Sequence, residues 1–296
     1  MSETGKGALF ALGAYFIWGF IPLYFSLVDA LVPGEILAHR IIWSVVFLLI
    51  LVFAGKKWVL LGKLFRDKST MRWLLLSSLL IAVNWLTYIW ALQNNQVLDT
   101  SLGYFINPMI SVCLGMIFLG ERLRPLQLAA VCIAALGVIH EIFVIGRLPA
   151  VALILASTFG GYGLARKKVA VDAVVGLLIE TLILLPFVVM YFVYLFMEQK
   201  HVFGNGSIEL DILIVGLGLL TTMPLLLFGA AALRLTLTVL GFFQYLAPTM
   251  VLVLAITWYG EPFTMDRAVT FGFILAAVIL FSLEMMFHQR KSAQRS

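Results

Sequence analysis

Ten apolar runs, most of them close to twenty residues long, follow one another along this chain, and short segments between them hold almost all of its charge. They cover residues 7–27, 35–54, 71–92, 101–119, 125–143, 149–165, 175–197, 211–232, 238–259 and 265–287. A hydrocarbon core of about 30 Å takes roughly 20 helical residues to cross, and a backbone in lipid must satisfy its own hydrogen bonds. The runs therefore predict an all-α integral membrane protein with ten transmembrane helices. Composition points the same way, since 62% of the 296 residues are apolar and only 12% are charged, about half the charge of a soluble domain. Such a chain cannot cover a core with polar surface in water. This excludes a soluble enzyme, a disordered region and a disulfide scaffold. The first run has no A-x-A-like cleavage site and is too long for a signal-peptide core, so it reads as a retained helix.

Lys and Arg collect in cytoplasmic loops, which gives an independent check on the number of spans. With the N-terminus inside, the outer segments hold only Arg147, Lys200 and Arg267, and Arg40 lies within a span. The other sixteen of the 20 basic residues fall in segments assigned to the cytoplasm. A miscounted helix would scramble this alternation, so both termini are expected to be cytoplasmic. The basic residues form no continuous patch with interleaved aromatics, so nucleic acid is not an expected partner. Cys113 and Cys132 lie inside apolar runs, where cysteine behaves as a small hydrophobe.

The chain also repeats itself. Ser101-Leu-Gly-Tyr-Phe-Ile-Asn-Pro108, followed by Gly120-Glu121, is echoed by Val239-Leu-Gly-Phe-Phe-Gln-Tyr-Leu-Ala-Pro248, followed by Gly260-Glu261. A weaker echo links Tyr15, Trp18 and Gly19 to Phe159, Tyr162 and Gly163. Each half then holds five helices, residues 1–146 and 147–296. Five is odd, so the second half enters the membrane from the opposite side. That is the inverted-repeat plan of secondary transporters.

Tyr15-Phe-Ile-Trp-Gly19, His39-Arg-Ile-Ile-Trp43, Asn84-Trp85, Leu102-Gly-Tyr-Phe-Ile-Asn-Pro108, Gly120-Glu-Arg122 and Leu240-Gly-Phe-Phe-Gln-Tyr245 together resemble the EamA-type drug/metabolite transporters, specifically their RarD branch. The resemblance spans essentially the whole chain. It implies ten helices in two inverted repeats, a bacterial inner membrane and export of small molecules, in a superfamily whose substrates include amino acids, sugars and drugs. The departure is Pro262 after Glu261, where Arg122 follows Glu121.

Polar and aromatic side chains inside the runs are the candidate site. Trp58, Trp73 and Trp258 read as interfacial anchors, whereas Trp18, Trp85, Tyr88 and Tyr104 sit deeper. Tyr15 shares a helix face with Trp18, as Asn84 does with Tyr88, and with Tyr162 they are expected to line a substrate cavity or else to pack helices. Glu35, His39 and Arg40 lie near the outer end of the second run, as substrate contacts or as a snorkelling interfacial cluster. Glu180, the only carboxylate in the seventh run, aligns with Arg40 at the offset of 140 that aligns Pro108 with Pro248. His39 and Glu180 are the candidates for proton coupling, with a structural ion pair as the alternative for Glu180. Asn107 and Gln244 precede prolines that leave carbonyls unpaired, and both are candidate substrate contacts. Glu121 and Glu261 are expected to serve packing or gating.

The expected function is a secondary-active carrier that exports small organic solutes, drug- or amino-acid-like or amphipathic, by alternating access around a central cavity. A channel or facilitator is the alternative, and an intramembrane enzyme a weaker one. His140-Glu141 lacks the second histidine of a zinc protease motif, and no nucleotide-binding loop is present. No catalytic residue, metal or cofactor is expected. The expected partners are a small-molecule substrate, the lipid bilayer and protons as coupling ion, and no motif sets the oligomeric state.

Overall fold

In a computed structural model, which describes residues 2–93, 97–146, 150–257 and 264–293, the chain is all-helical with no strand among the described residues. Thirteen helices follow in order: α1 (Glu3–Gly19), α2 (Ile21–Phe25), α3 (Pro33–Ala54), α4 (Trp58–Arg66), α5 (Lys68–Gln93), α6 (Val97–Leu119), α7 (Pro125–Ile145), α8 (Ala150–Val169), α9 (Ala173–Met197), α10 (Ile208–Ala232), α11 (Leu237–Phe243), α12 (Leu246–Thr257) and α13 (Met265–Ala293). Among the described residues six segments are long and apolar enough to cross a membrane: α1 with α2, α3, α5, α7, α9 and α10. Shorter apolar helices, Gly103–Leu119, Leu237–Val251 and Ala268–Glu284, lie at the fourth, ninth and tenth runs. Helix α8 occupies the sixth run and ends on Arg166, Lys167 and Lys168. Trp258 and Glu261 lie outside the described residues.

The helix boundaries follow from local chemistry. Pro33 and Pro125 open α3 and α7, where the missing N–H would have had no partner. Ser2, Asp172, Ser207 and Thr236 accept backbone amides at the starts of α1, α9, α10 and α11. Helix α7 ends at Gly146, whose φ of 70° favours glycine. Pro22 separates α2 from α1, whereas Pro108 stays inside an unbroken α6. Its repeat counterpart, Pro248, sits in the first turn of α12, because the chain breaks at Gln244 and Tyr245. The second copy has two more residues between its Leu-Gly pair and its proline than the first.

Helix α4 lies in the segment 56–70 that the sequence reads as a loop. Leu61 points inward while Trp58, Val59 and Phe65 are exposed, and Lys63 and Arg66 stand in its last turn. A short amphipathic helix with basic and aromatic residues suits the membrane interface.

Helices pack in exchange-related pairs. With α1 and α2 counted as the first run and α11 and α12 as the ninth, α5 on α8 corresponds to α10 on α1. In the same way α6 on α8 corresponds to α12 on α1, and α3 on α10 corresponds to α9 on α5. Three further pairs, α3 with α9, α6 with α11 and α7 with α13, are their own counterparts. The last is clamped at both ends, by Arg124 to Glu284 at 2.6 Å and by a Thr270 hydroxyl that donates to Glu141 and contacts His140.

Candidate functional site

The candidate residues separate into groups along the bundle. Arg40, Trp85, Tyr88 and Tyr104 come together. Arg40 is 8% exposed, and its Nε donates to Thr221 Oγ1 at 2.9 Å. Its Cζ stands 4.8 Å from the Trp85 ring centroid and 5.9 Å from that of Phe25, within cation–π range. The Tyr88 and Tyr104 rings are 6.2 Å apart, and both residues lie within electrostatic reach of the guanidinium. Tyr104 keeps 41% of its surface open.

A close approach of α3 and α10 builds this corner. Ser44 Oγ donates to the carbonyls of Arg40 and Gly218. A Cβ on Gly218 would stand 2.6 Å from the Trp43 carbonyl carbon and 2.8 Å from Ser44 N. One turn beyond Gly218, Thr221 meets the guanidinium.

Tyr15, Trp18 and Tyr162 form a second group with Phe159 and Phe228. Trp18 packs edge-on to Phe159 at 5.6 Å, and Tyr162 stacks on Phe228 at 5.7 Å. Tyr15, Tyr162 and Phe228 are at most 2% exposed. Side chains from α1, α8 and α10 thus pack into one aromatic cluster toward the Arg166 end of α8, joining helices from both halves of the sequence.

Behind this cluster, Glu180 accepts from Ser77 Oγ, lies 3.4 Å from Arg166 Nη1 and is 3.5 Å from the Tyr162 hydroxyl. Gly176 and Gly229 leave room for the guanidinium, since a Cβ on either would press on it. Glu180 is thus paired with Arg166 across α8 and α9. In the sequence Arg166 is one of the sixteen basic residues assigned to cytoplasmic segments. The usable signal was helical spacing, because it stands one turn from Tyr162 on the same face.

The repeat relates these two corners. Glu180 occupies the position equivalent to Arg40 at an offset of 140, and Ser77-Ser78 precede Thr221-Thr222 by 144. Thus Arg40 on Thr221 and Glu180 on Ser77 are equivalent contacts, α3 to α10 and α9 to α5. The four-residue difference in offset is about one helical turn.

The remaining candidates lie apart from the Arg40 guanidinium. His39 stands between Phe192 and Phe203, at 4.8 and 5.3 Å, with neither ring nitrogen hydrogen-bonded. Glu35 Oε1, 3.7 Å from His39 Nε2, accepts the Val202 amide at 2.7 Å and holds the 198–207 segment to α3. Asn84 Nδ2 donates to the Leu155 carbonyl and to Thr158, which fastens α5 to α8. Gln244 Nε2 donates to Ser111 Oγ across the contact of α6 and α11, and the side-chain oxygens of Gln244 and Asn107 have no hydrogen-bond donor. Glu121 accepts the amides of Leu237 at 2.6 Å and Thr238 at 2.9 Å, so its carboxylate caps α11 from the other half of the chain. Glu261 is outside the described residues. A separate apolar cavity of about 310 Å³ between α1, α11, α12 and α13 carries no charged side chain, only Tyr245, Thr249 and Ser282 as polar lining.

Comparison with known proteins agrees with this architecture. Residues 5–140 match the EamA-like transporter family. "Protein RarD" of Escherichia coli (strain K12) is 44% identical over 292 residues, covering 99% of each chain. An "Uncharacterized transporter" of Vibrio cholerae serotype O1 is 46% identical over 95% of this chain and 93% of its own. One crystal structure superposes with a TM-score of 0.70 over 94% of this chain and 97% of that one at 17% identity, a likeness of fold alone.

Proposed function

The chain belongs to the EamA-like transporters, in their RarD branch, and we propose that it is a secondary-active exporter of small organic solutes working by alternating access. That it is a transporter of the bacterial inner membrane with many crossings, and not an enzyme, follows from its relatives. Its partners are a small-molecule substrate and the bilayer. In this reading ten helices form two inverted five-helix repeats, 1–146 and 147–296, with both termini in the cytoplasm. The observation that carries it is the exchange-related packing: the main helix pairs between the halves either have a counterpart five runs away or are their own counterpart. Two related halves give a carrier two states of similar energy, open to one side or the other.

The corner formed by Arg40, Trp85, Tyr88 and Tyr104 is the substrate site of this proposal, and the aromatic cluster of Tyr15, Trp18 and Tyr162 is the seal on its inner side. Transport exchanges that seal for a closure at the other end. Asn107 and Gln244, whose acceptors lack donors, meet the substrate as it passes. His39 contributes by holding the outer segment over α3, and Asn84 by fixing α5 to α8. Glu180 carries the coupling proton, exchanging Arg166 for a proton when its side of the bundle opens. This use of a buried carboxylate matches proton relays in other carriers.

Counterflow into proteoliposomes tests the carrier directly. Vesicles preloaded with one of a panel of amino acids, amphenicols, sugars and nucleosides take up labelled solute of the same kind against its gradient if the protein is a carrier. Uptake that only equilibrates, with no transient overshoot for any solute, replaces the carrier with a facilitator.

A further inference from the structure

The described residues bury two arginines, and the fold treats them differently. Arg166 has the Glu180 carboxylate at 3.4 Å. Among the described side chains Arg40 has no carboxylate partner, and its hydrogen bond is from Nε to a neutral threonine. Its Nη groups make no hydrogen bond among the described side chains. A guanidinium carries five donors in a planar fork, so most of the recognition capacity of Arg40 is unspent. Holding an unpaired cation in the membrane interior is costly, and such groups face cavities and mark ligand paths. The neighbours of Arg40 are rings: Trp85, Phe25, Tyr88 and Tyr104. Thr221 and the close contact of α3 and α10 fix the guanidinium against them.

Resting on the carrier reading, we propose that Arg40 is the anchor for the carboxylate of the transported solute, and that the aromatic walls select an apolar or aromatic body behind that carboxylate. The planar fork grips a carboxylate through two parallel N–H···O bonds, which a point charge such as lysine cannot copy. The open face of Tyr104 supplies the wall against which the body stacks. Sugars and nucleosides present no such charge and are excluded by the cost of covering the guanidinium with a neutral group.

The test uses the full-length protein in lipid nanodiscs with three probes of one body: 3-phenylpropionate, 3-phenylpropanamide and 3-phenylpropylamine. Indole-3-propionate and acetate extend the acids in both directions. Thermal shift and tryptophan fluorescence should report binding of the aromatic acids, with the amide and the amine weaker by at least about tenfold, since a charge-assisted hydrogen bond is at stake. Arg40→Gln should remove the preference of acid over amide, and Arg40→Lys should keep part of it. Without ligand, Arg40→Gln should melt at the wild-type temperature or above it, because it removes an unpaired buried charge. A clear fall in that temperature would mean that Arg40 is paired within the protein and would end the proposal. Equal binding of acid and amide by wild type, silence toward all the acids, or an acid preference that survives in Arg40→Gln would each end it too. Counterflow separates the two readings. Overshoot of a neutral solute that Arg40→Gln leaves unchanged keeps the carrier and removes the anchor, while no overshoot for any solute removes the carrier itself.

Discussion

Arg166 and Glu180 meet at 3.4 Å with neither side chain more than 2% exposed, so each is the counter-ion that makes burial of the other tolerable. Removing one partner of such a pair leaves an uncompensated charge and costs about 3–5 kcal/mol, whereas replacing both with apolar residues is often neutral. Arg166→Met should therefore lower the melting temperature sharply, and Arg166→Met with Glu180→Leu should recover most of the loss. The same pair tests coupling. Glu180→Gln should keep counterflow but no longer follow an imposed pH gradient, and uptake that still follows the gradient would clear Glu180 of carrying the proton.

Acid should loosen the link between the halves. Partial burial raises the pKa of the Asp172 carboxyl, but the Lys57 ammonium at 2.7 Å and the amides of Val174 and Val175 outweigh it and hold the group below its ordinary value. A lowered folded pKa means that the stabilisation is complete above the ordinary value, about 3.9, and is lost as pH falls below it. Asp172→Asn keeps the helix cap and removes the charge. Melting curves from pH 6 to pH 3 should show wild type losing its advantage over this variant, a difference under about 1 kcal/mol for a pair this open to solvent. An advantage that grows toward pH 3 would refute the assignment.

Glu121 should govern opening of the side at which α11 begins. Its carboxylate is the cap for the Leu237 and Thr238 amides, and a lost cap typically costs about 1 kcal/mol. In a background with Cys113→Ser and Cys132→Ser, a cysteine placed at Tyr15 should react with a charged thiol reagent several times faster once Glu121 becomes Ala. An unchanged rate would make the cap a matter of packing alone.

Gly218→Ala should displace Arg40 without touching it. The added methyl meets the backbone of Trp43 and Ser44 at 2.6 to 2.8 Å, so α3 and α10 must part and Thr221 must leave the guanidinium. Overpacking of this kind costs about 1–3 kcal/mol. Ligand affinity should fall along with stability, whereas Gly272→Ala, which meets nothing within 4 Å, should change neither.

The helical runs were legible because lipid admits few solutions: a backbone without water must be helical and about twenty apolar residues long. Arg40 was legible for a related reason, since a charge inside an apolar run stands out. Phe159 and Phe228 were not visible as the core of the seal, because aromatic residues in such runs are background. Arg166 was hidden by its neighbours, as Lys167 and Lys168 made it look like one more loop charge. His39 and Arg40 adjoin in sequence but diverge by about 100° around a helix, which sends one toward Phe192 and the other toward Trp85. Helix α4 was missed because nine residues with one buried leucine give too short a pattern to read.

The break between α11 and α12 sets the two halves apart. Helix α6 carries Pro108 through an unbroken rod, while its counterpart is jointed at Gln244 and Tyr245. Two identical arms exchange places without changing the molecule. A joint in one arm alone makes the exchanged arrangement a different one, so the two halves bend at different places and at different cost.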